Sequence, residues 1–504
     1  MAMGFLGEKT KQASRPAMGA VSFVTAILNT VALLLIARNM GPEILGTLGF
    51  LLSFLGLFFF IGDMGNGMAF ENVLAKGYRF AECYRAYVYA KLKLIAAFIA
   101  VAAAMIALYV FLLAPATHTA LHPVSMVIML GYFITANLAT IWIVGRNMKA
   151  GRSRINIFEF IESLAKALLV AAVVYIIAIS GDQYALFQLT FVYLLAGTLG
   201  LMIARNSARR LKMGPENEEI EVEFQDVAGK IAPFIAFSAI ILNLDKIMLW
   251  YFSDFQTLGV YFGAQRITIF IAASAVSIEI LLGQALTRHI RENNTEAISK
   301  ALRMTERYVS LIVLPVAGFY ILFSEGLLNA FLGDEFVAGS MAVALLAGAG
   351  FFTAIASPHI SYLVKAQRTR ELAIASGLAL AALCCALLAL LPDLLMPGAG
   401  IHGMNGAAIA VLASSVVFYA STRYMTWKIL ECKPHIRMLA HIFSTGIMIA
   451  STQFVIWYFD INLNFGWLLV LAGLGTVVYV LSLYLSGEMV RKDYHEFLEL
   501  TKPE

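Results

Sequence analysis

The chain has 504 residues, 60% of them hydrophobic and 13% charged, with 36 Lys and Arg against 32 Asp and Glu. A soluble globular protein carries about 25% charged residues, so a mean hydropathy of +0.80 excludes an ordinary soluble enzyme. Apolar blocks of about 20 residues exclude an outer-membrane barrel, whose strands alternate over ~10 residues. Four cysteines are too few for a secreted disulfide scaffold.

At about 36 residues per span and connection the length accommodates about 14 membrane helices. The sequence offers them at 17–37, 44–64, 87–113, 124–145, 157–179, 184–204, 231–252, 256–282, 308–325, 336–364, 371–391, 401–427, 436–459 and 464–486. Residues 1–15 are polar and the apolar run behind them lacks a small-residue cleavage site, so the first span is expected to be retained. The first hairpin is crowded with glycine, at 41, 46, 49, 56, 62, 65 and 67. Small residues let helices approach closely and permit bending; close packing is the simpler reading, here and for Pro315 in the ninth span.

The longest connection, 205–230, passes from basic (Arg205, Arg209, Arg210, Lys212) to acidic (Glu216, Glu218, Glu219, Glu221, Glu223, Asp226). That is the composition of a solvated linker. An offset of 213 residues lays MGPEILGTLGFLLSF (40–54) on SDFQTLGVYFGAQRI (253–267), with Leu45 and Gly46 on Leu258 and Gly259. Six spans in each copy is an even number, so both copies insert the same way round, related by an axis along the membrane normal with a cavity between two bundles. The expected units are a six-helix bundle at 1–204, a cytoplasmic linker at 205–230, a second six-helix bundle at 231–428, and two additional spans with a cytoplasmic tail at 429–504.

Basic residues flanking spans are retained on the cytoplasmic side. With the N-terminus inside, the cytoplasmic segments hold 32 of the 36 Lys and Arg, counting among them Lys91, Arg307 and Arg423. The outer segments hold only Arg38, and Lys166, Lys246 and Arg266 lie within spans. Both termini are therefore expected in the cytoplasm of a multi-pass cell-membrane protein. The outer loops at 114–123, 180–183, 253–255, 326–335, 392–400 and 460–463 are too short for an extracellular domain.

A charge at the centre of a membrane helix costs ~2.5–3.5 kcal/mol on insertion scales, so such residues face a partner or a wet cavity. Arg266 lies about ten residues into the eighth span, with no acidic residue one helical turn away, and is the best single candidate for an anion ligand. Lys166 follows Glu159 and Glu162 on one helix face, which makes a neutralised ion pair as good a reading as a substrate site. Lys246 follows Asp245 near the outer end of its span, where its stem reaches the interface. Arg38, at the outer end of the first span, faces a cavity mouth or headgroups. Asp63 and Glu71 bracket MGNGMAF at the inner end of the second span, where a structural role is the default. Asp245, Glu162 and Asp63 are the candidate ion-coupling residues. His359 has the chemistry to titrate near neutral pH, although a lone histidine satisfied within the bundle is the simpler reading.

The deep charge is thus cationic, which suits a phosphate or pyrophosphate. Walker, HExxH, CxxC and GxSxG signatures are not found, and no enzyme activity, cofactor or metal is expected. The adjacent Cys384 and Cys385 read as packing. Trp142, Trp250, Trp427, Trp457 and Trp467 lie near span ends and fit interfacial belts.

The stretch ARNMGPEILGTLGFLLSFLGLFFFIGDMGNGMAF (37–70) resembles the opening hairpin of the polysaccharide transporter family, which includes O-antigen and related oligosaccharide-lipid flippases of the multidrug/oligosaccharidyl-lipid/polysaccharide exporter superfamily. LDKIMLWYFSDFQTLGVYFGAQRI (244–267), FSEGLLNAFLGDEFVAGSMAVALLAGAG (323–350) and GIHGMNGAAIAVLASS (400–415) resemble later segments of that family, in the same order. The resemblance implies an all-α polytopic membrane protein with two six-helix bundles in a V around a central cavity, two further C-terminal helices, and alternating access without ATP hydrolysis. It implies a polyprenyl-(pyro)phosphate-linked oligosaccharide as cargo, moved from the cytoplasmic to the outer leaflet. A cationic family cavity carries over only to Arg266, Lys166, Lys246 and Arg38. Membrane lipids and glycan-assembly enzymes are the implied partners; nucleic acid is not.

The physical task fits. A charged phosphate and a polar glycan cannot cross ~30 Å of hydrocarbon unaided, whereas a prenyl tail can stay in lipid. The alternatives are an ion-coupled multidrug or organic-cation exporter of the same superfamily, whose cavity carboxylates would dominate, and a membrane glycosyltransferase or polymerase, which would need polar catalytic loops.

Overall fold

The computed structural model describes residues 2–113, 123–149, 157–180, 184–392, 403–432, 437–461 and 465–488. Its helices in chain order are α1 (Ala2–Phe59), α2 (Asn66–Ala75), α3 (Phe80–Leu108), α4 (Pro123–Lys149), α5 (Ile157–Ser180), α6 (Ala185–Ser207), α7 (Glu218–Phe252) and α8 (Phe255–Arg291). They continue with α9 (Thr295–Leu322), α10 (Ser324–Phe331), α11 (Ser340–Lys365), α12 (Thr369–Leu390), α13 (Met404–Leu430), α14 (Met438–Phe459) and α15 (Phe465–Leu485). Among the described residues, twelve stretches are long and apolar enough to cross a membrane, the first of them Val24–Ala75. That first stretch contains two expected spans, because Gly41 at φ 77 is non-helical and α1 is two helices meeting there. Counting it twice gives thirteen among the described residues, and the 37-residue α8 covers the remaining expected span, 256–282.

The contacts divide the chain into two units, residues 1–259 and 260–504. In the first, α1 packs on α5 and α7, α4 on α6, and α2 on α7. In the second, α13 packs on α11 and α12, and α9 packs on α11 and α14. The outer loops expected at 114–123, 180–183 and 392–400 lie largely outside the described residues, as does the tail beyond 488. The loop expected at 326–335 is instead built from α10 and a 3-10 turn at Asp334–Gly339.

Two expectations need correction. The acidic half of the 205–230 linker is helix: α7 starts at Glu218, where the Asn217 side chain accepts from Ile220 N at 3.4 Å and acidic residues in the first turn suit the positive end of the helix dipole. Trp250 is buried rather than interfacial, its ring 4.4 Å from that of Phe50. Trp427, Trp457 and Trp467 are exposed, as a belt requires.

The Leu-Gly pairs aligned by the 213-residue offset meet in space. A methyl on Gly46 would stand 2.7 Å from Gly259 N and would also strike Phe255 O; a methyl on Gly259 would stand 2.9 Å from Gly46 N and strike Pro42 O. Since 42 and 255 differ by the same 213, the crossing of α1 with the start of α8 is reciprocal, residue for residue, as a duplicated pair of helices related by a two-fold axis would give.

The second span does not run unbroken. After α1 the chain makes a 3-10 turn at Phe60–Gly62, then passes through Met64 (φ 41) and Gly65 (φ 83) before α2 begins. Backbone groups freed by such a break in a bilayer need partners. Here Asp63 N and Met64 N both donate to Phe60 O, at 2.9 and 2.8 Å.

Candidate substrate-binding charges

Each deep charge expected from the sequence lies among the described residues. Lys166, on α5, is 7% exposed. Its ammonium is 3.5 Å from Glu162 Oε1, 3.3 Å from the Tyr132 hydroxyl and 3.4 Å from Asn29 Oδ1. It also stands over the rings of Tyr132 and Tyr193, at 5.2 and 5.0 Å. Asn29 in turn donates to Ser163 Oγ at 2.9 Å, and the Tyr132 hydroxyl donates to Glu162 at 3.4 Å. The four-residue spacing puts carboxylate and ammonium on one helix face, and α1, α4 and α6 close around them.

Lys246 does not reach the interface. It is 4% exposed and Asp245 1%; the ammonium donates to Asp245 Oδ1 at 2.9 Å and to Leu242 O at 2.6 Å. Asp63 accepts from Lys91 at 2.7 Å, with the lysine 1% exposed. Arg266, on α8, is half-buried with its guanidinium 4.6 Å above the Phe262 ring. At 1.5 Å per residue it stands about 16 Å along α8 from Phe255, close to the middle of a bilayer core. Arg38 is exposed on α1, three residues before the break at Gly41.

Lys91 is a deep charge that the basic-residue count conceals. That count assigns it to the cytoplasmic flank although it lies just inside the expected span 87–113, and α3, which begins at Phe80, carries it inside the bundle. Two further buried clusters are concealed in the same way. Glu306, 0% exposed, meets His359 Nε2 at 2.8 Å, Arg423 Nε at 3.0 Å and the Tyr419 hydroxyl at 3.4 Å, all at one carboxylate oxygen. His359 is therefore not solitary, though only its Nε2 is paired and its Nδ1 makes no hydrogen bond among the described residues. Glu488 receives Arg307 Nε, with Arg307 Nη2 on its carbonyl at 3.0 Å and His441 Nε2 at 3.1 Å from its carboxylate. This cluster fastens the end of the α14 and α15 hairpin to α9.

Outside the spans, α2, α3 and the start of α7 are joined by Lys76 with Glu223 and by Arg85 with Glu216 at 2.6 Å. Between α2 and α3 the Tyr78 phenol is pushed up to about 12 by its hydrogen bond to Glu223, by burial and by the charge of Glu219.

No family model matches the sequence, and a search of curated proteins finds no relative. Solved structures do match. Lipid II flippase MurJ, in an inward closed conformation, superposes with a TM-score of 0.71 at 15% identity, over 92% of this chain and 97% of that one. The MATE multidrug transporter DinF-BH gives a TM-score of 0.58 at 15% identity, over 83% and 95%. An inward-facing MATE family transporter of the MOP superfamily gives 0.54 at 14%, over 81% and 94%. The chain therefore has the all-helical fold that MurJ and the MATE transporters share.

Proposed function

We propose that the protein is a flippase that carries a polyprenyl-(pyro)phosphate-linked oligosaccharide from the cytoplasmic to the outer leaflet of the cell membrane by alternating access, with both termini in the cytoplasm. The observation that carries this reading is the pairing of the deep carboxylates among the described side chains. Glu162 faces Lys166, Asp245 faces Lys246, Asp63 faces Lys91, and Glu306 faces Arg423 and His359. An exporter of organic cations needs a carboxylate to receive the cargo, and each of these is already matched to a cation. The fold shared with a protein described as a lipid II flippase supports the same class of cargo.

Within this reading the phosphate falls first to Arg266, whose planar guanidinium offers the bidentate geometry that phosphate favours, with Arg38 as a second ligand. Lys166 and Lys246 are neutralised by Glu162 and Asp245, so they add little net charge until those pairs open. Asp245, Glu162 and Asp63 remain the residues through which an ion would couple, because protonation or cation binding there would release the lysine partner.

The test is reconstitution in liposomes with labelled polyprenyl-pyrophosphate oligosaccharide, reading leaflet-specific accessibility with and without an imposed ion gradient. Wild type is expected to expose the label in the opposite leaflet, and Arg266→Ala to slow this at least tenfold while the protein stays folded. Unchanged sugar-lipid translocation by Arg266→Ala together with lost drug resistance would support the cation exporter instead. The absence of translocation under every gradient would overturn the proposal.

A further inference from the structure

A groove of about 280 Å³ runs along the first unit between α3 and α7. It is hollow because the facing positions are small, Ala86 and Ala90 on α3 and Ala228 and Gly229 on α7, and its floor is the turn at 64–66 that breaks the second span.

Three polar side chains at this groove lack partners among the described residues. Asn66 is 2% exposed and its Nδ2 makes no hydrogen bond there. Leaving a buried donor unmade costs about 1–3 kcal/mol, and native structures carry few such groups without a bound acceptor. Lys93 and Glu221 also line the groove and make no ion pair among the described residues. The charges around them are matched: Lys76 with Glu223, Arg79 with Glu82, Arg85 with Glu216 and Lys91 with Asp63.

The order of the two unmatched charges is informative. Helices α3 and α7 run side by side in one direction, held by Gly214 N on Ala81 O at 2.8 Å, with the rings of Tyr87 and Phe224 level at 6.5 Å. From that level Lys93 lies six residues deeper and Glu221 three residues back toward the helix starts, an axial separation of about 13 Å at 1.5 Å per residue. The lysine stem tilts toward its helix start and closes part of that distance. A phosphate nearer the hydrocarbon and an ammonium nearer water, a few bonds apart, is the head group of an aminophospholipid. The volume admits that head group but not the acyl chains.

We propose that this groove is a binding site for an aminophospholipid head group, its phosphate on Lys93 and the Asn66 amide and its ammonium on Glu221, seated as a strut between α7 and the hairpin of α2 and α3. The inference requires only that α3 and α7 stand in a bilayer, and does not depend on which cargo is transported.

The test is native mass spectrometry of the full chain, stripped of lipid and reloaded from vesicles of phosphatidylethanolamine, phosphatidylglycerol or phosphatidylcholine, with inorganic phosphate as competitor. Wild type is expected to retain one phosphatidylethanolamine in preference to the other two. Lys93→Gln should lower that retention about tenfold, since a charge-assisted contact is lost, and Glu221→Gln should abolish the preference over phosphatidylglycerol. Gly229→Leu fills the groove at a position where an added Cβ meets nothing within 4 Å, so it should remove retention while leaving the unfolding temperature in place. Wild-type retention by Lys93→Gln and Gly229→Leu overturns the proposal, as does a wild-type protein that retains none of the three lipids. Equal retention of phosphatidylethanolamine and phosphatidylglycerol by wild type overturns the ammonium assignment. Displacement of the lipid by an equal concentration of inorganic phosphate identifies a free-anion site instead and overturns the lipid reading.

Discussion

Replacing Gly46 by Ala is a one-methyl perturbation whose cost follows from the crossing of α1 with the start of α8. The new Cβ would stand 2.7 Å from Gly259 N, 0.7 Å inside the 3.4 Å at which ordinary van der Waals contact begins, and it would also strike the Phe255 carbonyl. These are backbone atoms and have no rotamer to change, so the helices must separate. Overpacking of this kind costs about 1–3 kcal/mol, against which Ala returns up to about 1 kcal/mol of helix propensity over Gly; a net loss of about 1–2 kcal/mol is expected. Thermal unfolding in detergent, followed by a thiol-reactive dye on the buried Cys83 and Cys432 after the half-buried Cys384 and exposed Cys385 are replaced by Ala, reads it directly. Because the contact is reciprocal, Gly259→Ala should cost about as much as Gly46→Ala. The double variant should cost less than the sum, since one separation relieves both clashes. Unfolding temperatures equal to wild type, or strictly additive losses, would refute the reasoning.

Lys91→Met leaves Asp63 facing no ammonium; with the Asp63 side chain 35% exposed, the loss should lie at the low end of the range for a broken buried pair, about 3 kcal/mol, and Lys91→Met with Asp63→Asn should recover most of it in the same unfolding assay. Glu306→Gln strips the counter-charge from Arg423 in a cluster where Glu306 and His359 are 0% exposed, so about 3–5 kcal/mol is expected, with partial recovery on adding Arg423→Met. The Tyr78 phenol is raised to about 12 from 10.0. Its contribution is therefore complete below pH 10 and is lost as pH rises through about 12, and Tyr78→Phe should abolish that part of the alkaline loss.

The spans were legible because apolar blocks of bilayer length are a strong signal, and the least distinct boundary was marked by chemistry: α7 ends at Phe252, and Asp254 Oδ1 caps α8 by accepting from Thr257 N at 2.6 Å. Charge pairing was legible where the partners share a helix turn, as Glu162 and Lys166 do. It was hidden where they come from different helices, since nothing in the local sequence of Lys91 names Asp63, 28 residues earlier, and nothing near Glu306 names His359 or Arg423. Hydropathy also measures the lipid-facing length rather than the helix. Thus α3 starts at Phe80 although its apolar block starts near 87, and α9 starts at Thr295 although its block starts near 308. Glu306 and Arg307 lie in the second extension, where hydropathy alone makes them flanking charges, and Lys91 lies at the start of its apolar block, where the basic-residue count assigns it to the flank. The Leu-Gly match at an offset of 213 has little weight as a string; its reciprocal contact supplies that weight.

Lys166 separates two roles that one substitution cannot distinguish. If it is half of a structural pair, Lys166→Met should destabilise the protein by about 3–5 kcal/mol, because Glu162 is then left against Tyr132 without its cation. Transport would fall with the folded fraction. Adding Glu162→Gln removes the stranded charge and keeps an amide within reach of the Tyr132 hydroxyl, so the double variant should regain most of the stability. The expectation, given how completely Asn29, Tyr132, Tyr193 and Glu162 occupy the ammonium, is that transport returns with it. A double variant that unfolds like wild type but moves no sugar-lipid would show the opposite: that the pair must open during the cycle, and that Lys166 then takes a share of the phosphate.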